Sequence, residues 1–257
     1  MTPELERYFS LEGKTALVTG SSTGIGRAIL FALAHAGADV VQHASAPWAG
    51  ESSDAAELDA IGIKHKAIYA NLKTADCGRR IAEQLEDFSE PDILILNASY
   101  QIRREFSEIT DEDFDTQMYI NFRSSIKLIQ SFLPRMKKNS FGRIVTIGSI
   151  QQCVPHPQMA VYSASKDAQL NLVKSLAKIY APFGITVNNV APGSIYTRRN
   201  IEVLSDEAYR RKVIENIPAG YIGEPEDCAA AVVMLCGSGG RYVTGENIYI
   251  DGGSHLK

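Results

Sequence analysis

A tyrosine and a lysine lie four residues apart at Tyr162 and Lys166, and a serine, Ser149, precedes the tyrosine by thirteen positions. Residues four apart share one face of a helix, so a helix here would place the lysine ammonium beside the tyrosine phenol. A phenol ordinarily has a pKa of about 10, and a neighbouring cation lowers that pKa because it favours the phenolate. The pair is therefore a candidate acid and base for chemistry near neutral pH.

The spacing alone is weak evidence for a catalytic site, because many solvated helix faces carry a tyrosine and a lysine four residues apart. The composition of the chain excludes several other functions. The 257 residues carry a formal net charge of −4, so we predict no nucleic-acid partner. No long apolar run predicts a membrane span, and residues 1–14 are too polar for a signal peptide. Four cysteines and five histidines lack metal-ligand spacing, so we predict no metal site. A cytoplasmic protein with a small-molecule substrate is the expectation.

Short apolar runs alternate with longer helical patterns along the chain. Strands are predicted at 15–19, 39–43, 66–69, 93–96, 143–147, 186–190 and 247–250. Helices are predicted at 24–36, 51–60, 75–88, 111–138, 161–181 and 224–236. This alternation predicts an α/β, Rossmann-like doubly wound fold, with a parallel sheet of about seven strands and helices on both faces. Without a linker or repeat, we expect a single domain of this type over 1–257, with 1–12 as an N-terminal extension.

A glycine-rich turn joins the first predicted strand to the first predicted helix. It contains Gly20, Gly24 and Gly26 in a Gly-x-x-x-Gly-x-Gly spacing. A phosphate-binding turn needs glycines so that the backbone approaches the pyrophosphate, whose charge then meets the helix N-terminus. A lone glycine cluster is more often a plain turn, but this strand and helix around it favour nucleotide binding.

Together these residues resemble the classical short-chain dehydrogenase/reductases, over residues 14–253. The matching residues are Thr19, Gly20, Gly24, Gly26, Asn97, Ala98, Asn121, Ser149, Tyr162, Lys166, Asn188, Pro192, Gly193, Thr197, Thr244, Gly245, Asp251, Gly252 and Gly253. The resemblance implies an oxidoreductase that interconverts a secondary alcohol and a carbonyl by hydride transfer to or from a nicotinamide cofactor.

The resemblance also implies roles for four catalytic residues. Tyr162 would be the general acid/base that exchanges a proton with the substrate oxygen. Lys166 would lower the Tyr162 pKa and hydrogen-bond the nicotinamide ribose. Ser149 would hold the carbonyl or alkoxide oxygen, and Asn121 would anchor a water that connects Lys166 to solvent.

By the same resemblance, one set of residues would contact the dinucleotide. These are Gly20, Ser22, Thr23, Gly24, Ile25, Gly26, His43, Ala44, Ser45, Asn71, Leu72, Asn97, Ala98, Ser99, Tyr162, Lys166, Pro192, Gly193, Ile195 and Thr197. Two of them depart from the family pattern. Ser99 adds a side chain where the family usually keeps a glycine, and Asn71 replaces an acidic residue that often accepts a hydrogen bond from the adenine.

The end of the second predicted strand bears on which nicotinamide cofactor is used. NAD-preferring relatives carry a carboxylate there, which binds the ribose 2′-hydroxyl and repels a 2′-phosphate. This chain has none until Glu51, so NADP(H) is favoured and NAD(H) is possible. Ser45 could hydrogen-bond the phosphate, and His43 could contribute if protonated. Against this, no Arg or Lys follows in the loop, and Thr23 stands where phosphate-preferring members frequently have a base.

The loops expected around the substrate are polar. They contain Ser149, Gln151, Gln152, His156 and Tyr162, with Tyr100, Gln101, Arg103 and Arg104 in a second loop and Tyr196, Arg198, Arg199 and Asn200 in a third. We expect Ser149, Gln151, His156 and Tyr162 to contact a polar substrate such as a sugar, polyol or hydroxy acid. The arginines permit a carboxylate or phosphate, although solvated loop residues explain most of them equally well.

Other functions and an assembly also follow as expectations. A 3-oxoacyl thioester reductase is the main alternative, and a catalytically silent protein that senses nicotinamide nucleotides is an alternative of another class. The resemblance implies a homotetramer, with a dimer possible, packed through the helices predicted at 111–138 and 161–181.

Overall fold

The fold was obtained as a computed structural model that describes residues 2–256, and its strands form one sheet. The strands are β1 (Thr15–Thr19), β2 (Asp39–Ala44), β3 (His65–Tyr69), β4 (Ile93–Leu96), β5 (Gly142–Ile147), β6 (Ile185–Pro192) and β7 (Asn247–Ile250). All neighbouring strands pair in parallel, in the order β3-β2-β1-β4-β5-β6-β7. The predicted α/β, doubly wound fold is confirmed.

Helices connect the strands and cover both faces of the sheet. They are α1 (Pro3–Phe9), α2 (Gly24–His35), α3 (Glu51–Ile61), α4 (Cys77–Glu83), α5 (Asp111–Met118), α6 (Ser124–Lys138), α7 (Ala160–Tyr180), α8 (Arg198–Leu204), α9 (Glu207–Glu215) and α10 (Pro225–Cys236). Side chains alternate across a strand, so Ala16 and Val18 of β1 pack with residues of α2 and α10, whereas Leu17 packs with residues of α4, α6 and α7.

Most predicted boundaries agree with the structure. The strands predicted at 15–19, 93–96 and 247–250 match to the residue, and four of the six helices begin and end within one residue of their predicted positions. Thr110 caps α5: its hydroxyl accepts from the N–H of Asp113 at 3.1 Å.

Two predicted helices differ from the structure. The helix predicted at 75–88 is only α4, because tight turns follow it, in which Leu85 bonds to Ala82 and Phe88 to Leu85. The helix predicted at 111–138 contains a π-helical turn, Tyr119–Arg123, between α5 and α6. Helices α1, α8 and α9 were not predicted.

The strand order creates the place for a ligand. The chain runs outward from β1 through β2 to β3 and then returns to the other side of β1 with β4. In a doubly wound sheet such a reversal opens a crevice at the carboxyl ends of the two central strands, where ligands bind.

Two further features of residues 2–256 bear on function. None of the helices there is long and apolar enough to span a bilayer. Within the same range, His, Cys, Asp and Glu side chains form no group of three that could hold a metal. One domain over 1–257 remains our proposal; Met1 and Lys257, its two ends, lie outside the described residues.

Candidate active site

The glycine turn between β1 and α2 forms one end of the crevice. Gly20 and Gly24 have φ of +65° and +57°, a left-handed conformation that favours glycine. A Cβ at Gly26 would collide with the Gly20 carbonyl oxygen. Thr23 begins α2 without capping it through its side chain, so the turn presents backbone N–H groups at a helix N-terminus. These features fit a dinucleotide pyrophosphate.

Asn97 fixes this turn against the end of β4. Its amide donates to the carbonyl oxygens of Thr19 at 2.9 Å and Gly20 at 3.0 Å. The Thr19 hydroxyl in turn accepts from the N–H groups of Asn97 and Ala98, at 3.0 and 3.1 Å. The side chain predicted to contact the dinucleotide therefore also holds β1 and β4 together.

His43, at the end of β2, supports the turn as a neutral side chain. Its Nδ1 accepts from the N–H of Gly20 at 3.3 Å, and its Nε2 bonds to the Ala70 carbonyl oxygen at 3.1 Å. Burial lowers the pKa of His43 to about 4, because the charged imidazolium loses its hydration. The expectation that a protonated His43 assists a 2′-phosphate is therefore wrong.

The loop after β2 faces the crevice without a carboxylate. Ser45 is exposed there and lines the cavity, as does Trp48, which the sequence analysis did not single out. The buried carboxylate behind this loop, Asp54, is paired with Arg27 at 2.8 Å and accepts from Trp48 at 3.2 Å. Arg27 also pairs with Glu57 at 2.9 Å, and neither carboxylate belongs to the residues that line the cavity beside Ser45.

Tyr162 and Ser149 line the middle of the crevice. Tyr162 lies in the first turn of α7, as its spacing from Lys166 predicted, and Ser149 follows β5. The Ser149 hydroxyl accepts from the N–H of Gln151 at 3.2 Å, while the Gln152 side chain accepts from the N–H of Ser149 at 3.3 Å and donates to the Lys166 carbonyl oxygen at 2.9 Å. Gln152 thus ties the serine turn to α7.

Lys166 lies behind Tyr162 and is 1% exposed. Its ammonium donates to the Ile147 carbonyl oxygen at 2.6 Å and lies 5.9 Å from the centre of the Tyr162 ring. It also lies 3.4 Å from Oε1 of Gln169. Burial, with a smaller contribution from the charge of Arg199, lowers the pKa of Lys166 to about 7.

The pKa of Tyr162 departs from the expectation. Burial raises it above the ordinary value, because the phenolate would lose its hydration. The charge of Arg199 opposes this rise most strongly, followed by hydrogen bonds from Ser149, Arg199 and Ser99. Lys166 was expected to lower this pKa; in the structure the cation that does so is Arg199, and burial outweighs it.

Asn121 lies in the π-helical turn and is fully buried. Its side chain accepts from the N–H of Tyr100 at 2.7 Å and donates to the Tyr100 carbonyl oxygen at 2.9 Å. A chain of contacts links it to Lys166: Gln169 donates to Ser125 at 2.9 Å, and Ser125 donates to the Asn121 carbonyl oxygen at 3.3 Å. Asn121 therefore fixes the loop after β4 and lies at the far end of this chain.

A cavity of about 690 Å³ joins these parts. Every residue predicted to contact the dinucleotide lines it, except Lys166, which lies behind Tyr162. Ser149, Gln151 and Tyr162 line it as predicted for the substrate, together with Tyr100, Gln101, Arg103, Arg198, Arg199 and Asn200. His156 does not: it caps the short 3-10 turn Pro157–Met159, where its Nδ1 accepts from the N–H of Gln158 at 3.1 Å. The structure therefore does not support a substrate contact by His156.

Several apolar residues of the cavity were missed by the sequence analysis. They are Ile120, Met159, Val203, Leu204, Tyr209 and Val213. Four of them belong to α8 and α9, which cover the substrate end of the cavity. The apolar positions of these two short helices are the signal that could have identified them.

Comparison with known sequences identifies relatives along nearly the whole chain. A family model described as enoyl-(acyl carrier protein) reductase matches residues 20–255. The 3-oxoacyl-[acyl-carrier-protein] reductase of Haemophilus influenzae is 38% identical over 247 residues, which cover 96% of this chain and 100% of that protein. The enzyme of the same name from Escherichia coli is 35% identical over 248 residues, or 96% of this chain and 99% of that protein.

Solved structures show the same fold. A 3-oxoacyl (acyl-carrier-protein) reductase from Agrobacterium tumefaciens with NADP bound aligns with a TM-score of 0.92 and 36% identity, over 96% of both chains. A gluconate 5-dehydrogenase from Burkholderia cenocepacia in complex with NADP and tartrate aligns with a TM-score of 0.90 and 28% identity, over 98% of this chain and 99% of that one. The chain belongs to the short-chain dehydrogenase/reductase family of oxidoreductases.

Proposed function

We propose that this oxidoreductase uses NADP(H) to interconvert a secondary alcohol and a carbonyl on a small polar substrate. The observation that carries the proposal is the shared cavity. It joins the glycine turn at one end to the hydroxyl-bearing residues Tyr162 and Ser149 at the other. A nucleotide bound at the glycine turn and a substrate oxygen at Tyr162 would thus lie in one continuous cavity.

The residues at the nucleotide end fit NADP(H). Gly20, Gly24 and Gly26 let the turn pack closely against Asn97, Ala98 and Thr197, and the turn leads into the N-terminus of α2, where a pyrophosphate would bind. Ser45 is exposed at the end of β2, and no Asp or Glu lines the described cavity to repel a 2′-phosphate. The NADP found in both structural relatives above supports the same choice. NAD(H) remains possible, since no Arg or Lys faces Ser45 from the same loop.

When bound, the nicotinamide supplies or accepts the hydride, and the protein handles the oxygen and the proton. In the reducing direction, the Tyr162 hydroxyl donates a proton to the substrate oxygen. Ser149 donates a hydrogen bond to the same oxygen, where negative charge develops. In the oxidising direction Tyr162 removes the proton instead.

Lys166 and Asn121 act behind Tyr162. The buried ammonium is held by the Ile147 carbonyl oxygen, so it stays behind the phenol, from where it would hydrogen-bond the nicotinamide ribose. With its pKa lowered to about 7, Lys166 exchanges protons near neutral pH. The contacts through Gln169 and Ser125 support the proposed path from Lys166 toward Asn121, whose anchored water would lead to solvent.

A 3-oxoacyl thioester reductase is the second candidate, and the curated relatives favour it. An acyl carrier protein is acidic and would need a basic docking surface; the cluster Arg135, Lys137 and Lys138 lies in the last turn of α6. The mixture of arginines and amides at the substrate end favours a polar substrate, as does the tartrate bound by the gluconate 5-dehydrogenase.

The test compares kcat/KM, at 340 nm with NADPH, for a panel of ketoses, oxo acids and diketones and for acetoacetyl-CoA. The proposal predicts a higher kcat/KM for at least one polar carbonyl than for the thioester. A preference for the thioester would establish the second candidate. Tight NADPH binding without reduction of any compound would support the nucleotide-sensing alternative.

We also propose a cytoplasmic homotetramer, or a dimer. Free thiols at Cys77, Cys153, Cys228 and Cys236 are typical of a reducing compartment. Phe114 of α5 and Ile179 of α7 are exposed on the helices expected to pack between subunits, at 49% and 54%. Light scattering after size exclusion tests this: a monomer would contradict it.

A further inference from the structure

Arg199 crosses the substrate end of the cavity. It lies in the first turn of α8, and its guanidinium donates to Ser99, which follows β4. The distances are 2.8 Å to the Ser99 carbonyl oxygen and 3.2 Å from each terminal nitrogen to the Ser99 hydroxyl. Both residues line the cavity. The contact therefore joins two walls that are 100 residues apart in the sequence.

The Ser99 side chain is what gives this contact its second acceptor. Where the family usually has a glycine, only the carbonyl oxygen would face Arg199. With both acceptors, the plane of the guanidinium is fixed at one edge. A guanidinium has five N–H donors; three contacts to Ser99 and one hydrogen bond to Tyr162 leave at least one donor for a ligand. Ser99 thus orients Arg199 without satisfying it.

The charge of this end of the cavity has one sign. Among the described lining residues, Arg103, Arg198 and Arg199 are charged, and none is Asp, Glu or Lys. The chain as a whole has 30 acidic and 26 basic residues, so its excess of acid lies elsewhere. An anion entering here meets attraction without a competing carboxylate.

Arg199 acts on the reacting end of the cavity. Its positive charge lowers the pKa of Tyr162, and its guanidinium forms a hydrogen bond that does the same. The pyrophosphate cradle is built instead from the glycine turn and the N-terminus of α2. The arginine therefore stands beside the atom that exchanges a proton with the substrate.

We propose that Arg199, oriented by Ser99, binds the carboxylate of the substrate, so that the enzyme acts on oxo acids and the corresponding hydroxy acids. This inference rests on the proposed function and narrows its substrate class. Arg199 keeps its positive charge beside these contacts, and its remaining N–H group can form a charge-assisted hydrogen bond to a carboxylate oxygen. Arg199, Ser99 and Tyr162 line the same cavity, so the carboxylate and the reacting carbonyl would belong to one small substrate.

The kinetic test compares 2-, 3- and 5-oxo acids with their methyl esters as substrates for NADPH oxidation. For the wild type, we expect kcat/KM for the best oxo acid to exceed that for its methyl ester by roughly 10- to 100-fold, the range of a charged hydrogen-bonded pair. Arg199→Gln should lower kcat/KM for both compounds, because Arg199 also acts on Tyr162, but it should lower that for the acid further and so lose the preference. An equal loss for acid and ester would overturn the proposal.

Three variants control this test. Arg199→Lys keeps the charge without the planar fork and should retain an intermediate preference. Ser99→Gly removes one acceptor and should lower the preference several-fold, whereas Arg210→Gln on α9, outside the cavity lining, should leave it unchanged. The Kd for NADPH, measured by fluorescence, should be the same in wild type and Arg199→Gln. A large rise in that Kd would assign Arg199 to the cofactor phosphates instead.

A binding measurement separates this inference from the proposed function. Calorimetry with NADP⁺ present should show that the wild type binds lactate more tightly than lactamide. In Arg199→Gln the two compounds should bind with the same affinity. Equal binding of acid and amide overturns the inference even if carbonyls are reduced. Selective acid binding without turnover upholds it while the proposed function fails. A higher kcat/KM for dihydroxyacetone phosphate than for any oxo acid would overturn the carboxylate assignment.

Discussion

The two ends of the cavity are built in different ways. At the nucleotide end, the surface is backbone and uncharged side chains: the glycine turn, the neutral His43 and the exposed Ser45. At the substrate end, charged side chains from separate segments meet, and Arg199 reaches across to Ser99. The shape of the nucleotide end depends on glycines at positions where a Cβ would not fit. The binding properties of the substrate end depend on the charged side chains that line the cavity.

This difference separates what is general from what is specific. A pyrophosphate can be bound by any chain that keeps the glycine turn, because the backbone N–H groups do the binding. Selectivity for a substrate requires individual side chains that form favourable contacts with the correct substrate and leave a polar group of an incorrect one unpaired. Changes at the first end should therefore alter cofactor affinity, and changes at the second should alter the choice of substrate.

The largest expected effect lies between the two ends. Tyr162→Phe should lower kcat by roughly 10²- to 10⁴-fold, the contribution typical of a general acid, while the Kd for NADPH stays nearly the same. Stopped-flow absorbance and fluorescence titration measure the two quantities. Tyr180→Phe, the same change near the other end of α7, is the control. Substantial residual activity in Tyr162→Phe would remove this residue from its proposed role.

The nucleotide end should lose stability in acid because of His43. The unfolded chain protonates this imidazole near its ordinary pKa of 6.5, but the folded chain only at about 4. The unfolded state therefore binds more protons as the pH falls through this window, and the free energy of unfolding falls by roughly 3 kcal/mol. Urea unfolding at pH 7 and near pH 4 measures it. His43→Gln should show a smaller drop; an identical drop would mean that folding does not lower the pKa of His43.

Gly26→Ala tests the backbone cradle itself. Its Cβ would collide with the Gly20 carbonyl oxygen, so the turn must shift, at a cost of about 1–3 kcal/mol, or roughly 10- to 100-fold in NADPH affinity. Gly239→Ala is the matched control, since its Cβ would meet only Tyr8, at 3.4 Å or more. Thermal unfolding first verifies that each variant is folded, and calorimetric titration then measures its Kd for NADPH. Unchanged affinity in Gly26→Ala would show that the cradle tolerates a Cβ.

The smallest effect is expected at the end of β2. Ser45→Asp places a carboxylate where the 2′-phosphate is proposed to lie, so the Kd for NADPH should rise about tenfold while that for NADH does not. Ser45→Asn has the same size without the charge and should keep the wild-type ratio. A ratio of the two Kd values that is the same in Ser45→Asp and wild type would show that Ser45 does not face the phosphate.

The features predictable from the sequence are local or repetitive. Strands such as β4 are short apolar runs, and the glycine turn is contiguous, so their patterns survive in any tertiary context. The helix predicted over 161–181 likewise placed Tyr162 and Lys166 on one face, as the structure has them. The residues that line the nucleotide end were expected from the resemblance to a known family rather than from these local patterns.

What could not be predicted depends on contacts between distant segments. The pair Ser99 and Arg199 requires α8 to lie against the end of β4, which no local pattern indicates. The raised pKa of Tyr162 depends on burial, and the assignment of its neighbouring cation depends on side-chain positions. The role of His156 was misjudged because a cap on a 3-10 turn and a substrate contact look alike in one loop sequence.

The most direct test of the central claim follows the hydride and the proton together. The enzyme is given its best carbonyl substrate and NADPH deuterated at the nicotinamide C4, and the alcohol product is analysed by mass spectrometry. The account predicts one deuterium on the carbinol carbon of each product molecule with wild type, and no product above background with Tyr162→Phe. An unlabelled alcohol, or equal product from Tyr162→Phe, would contradict it.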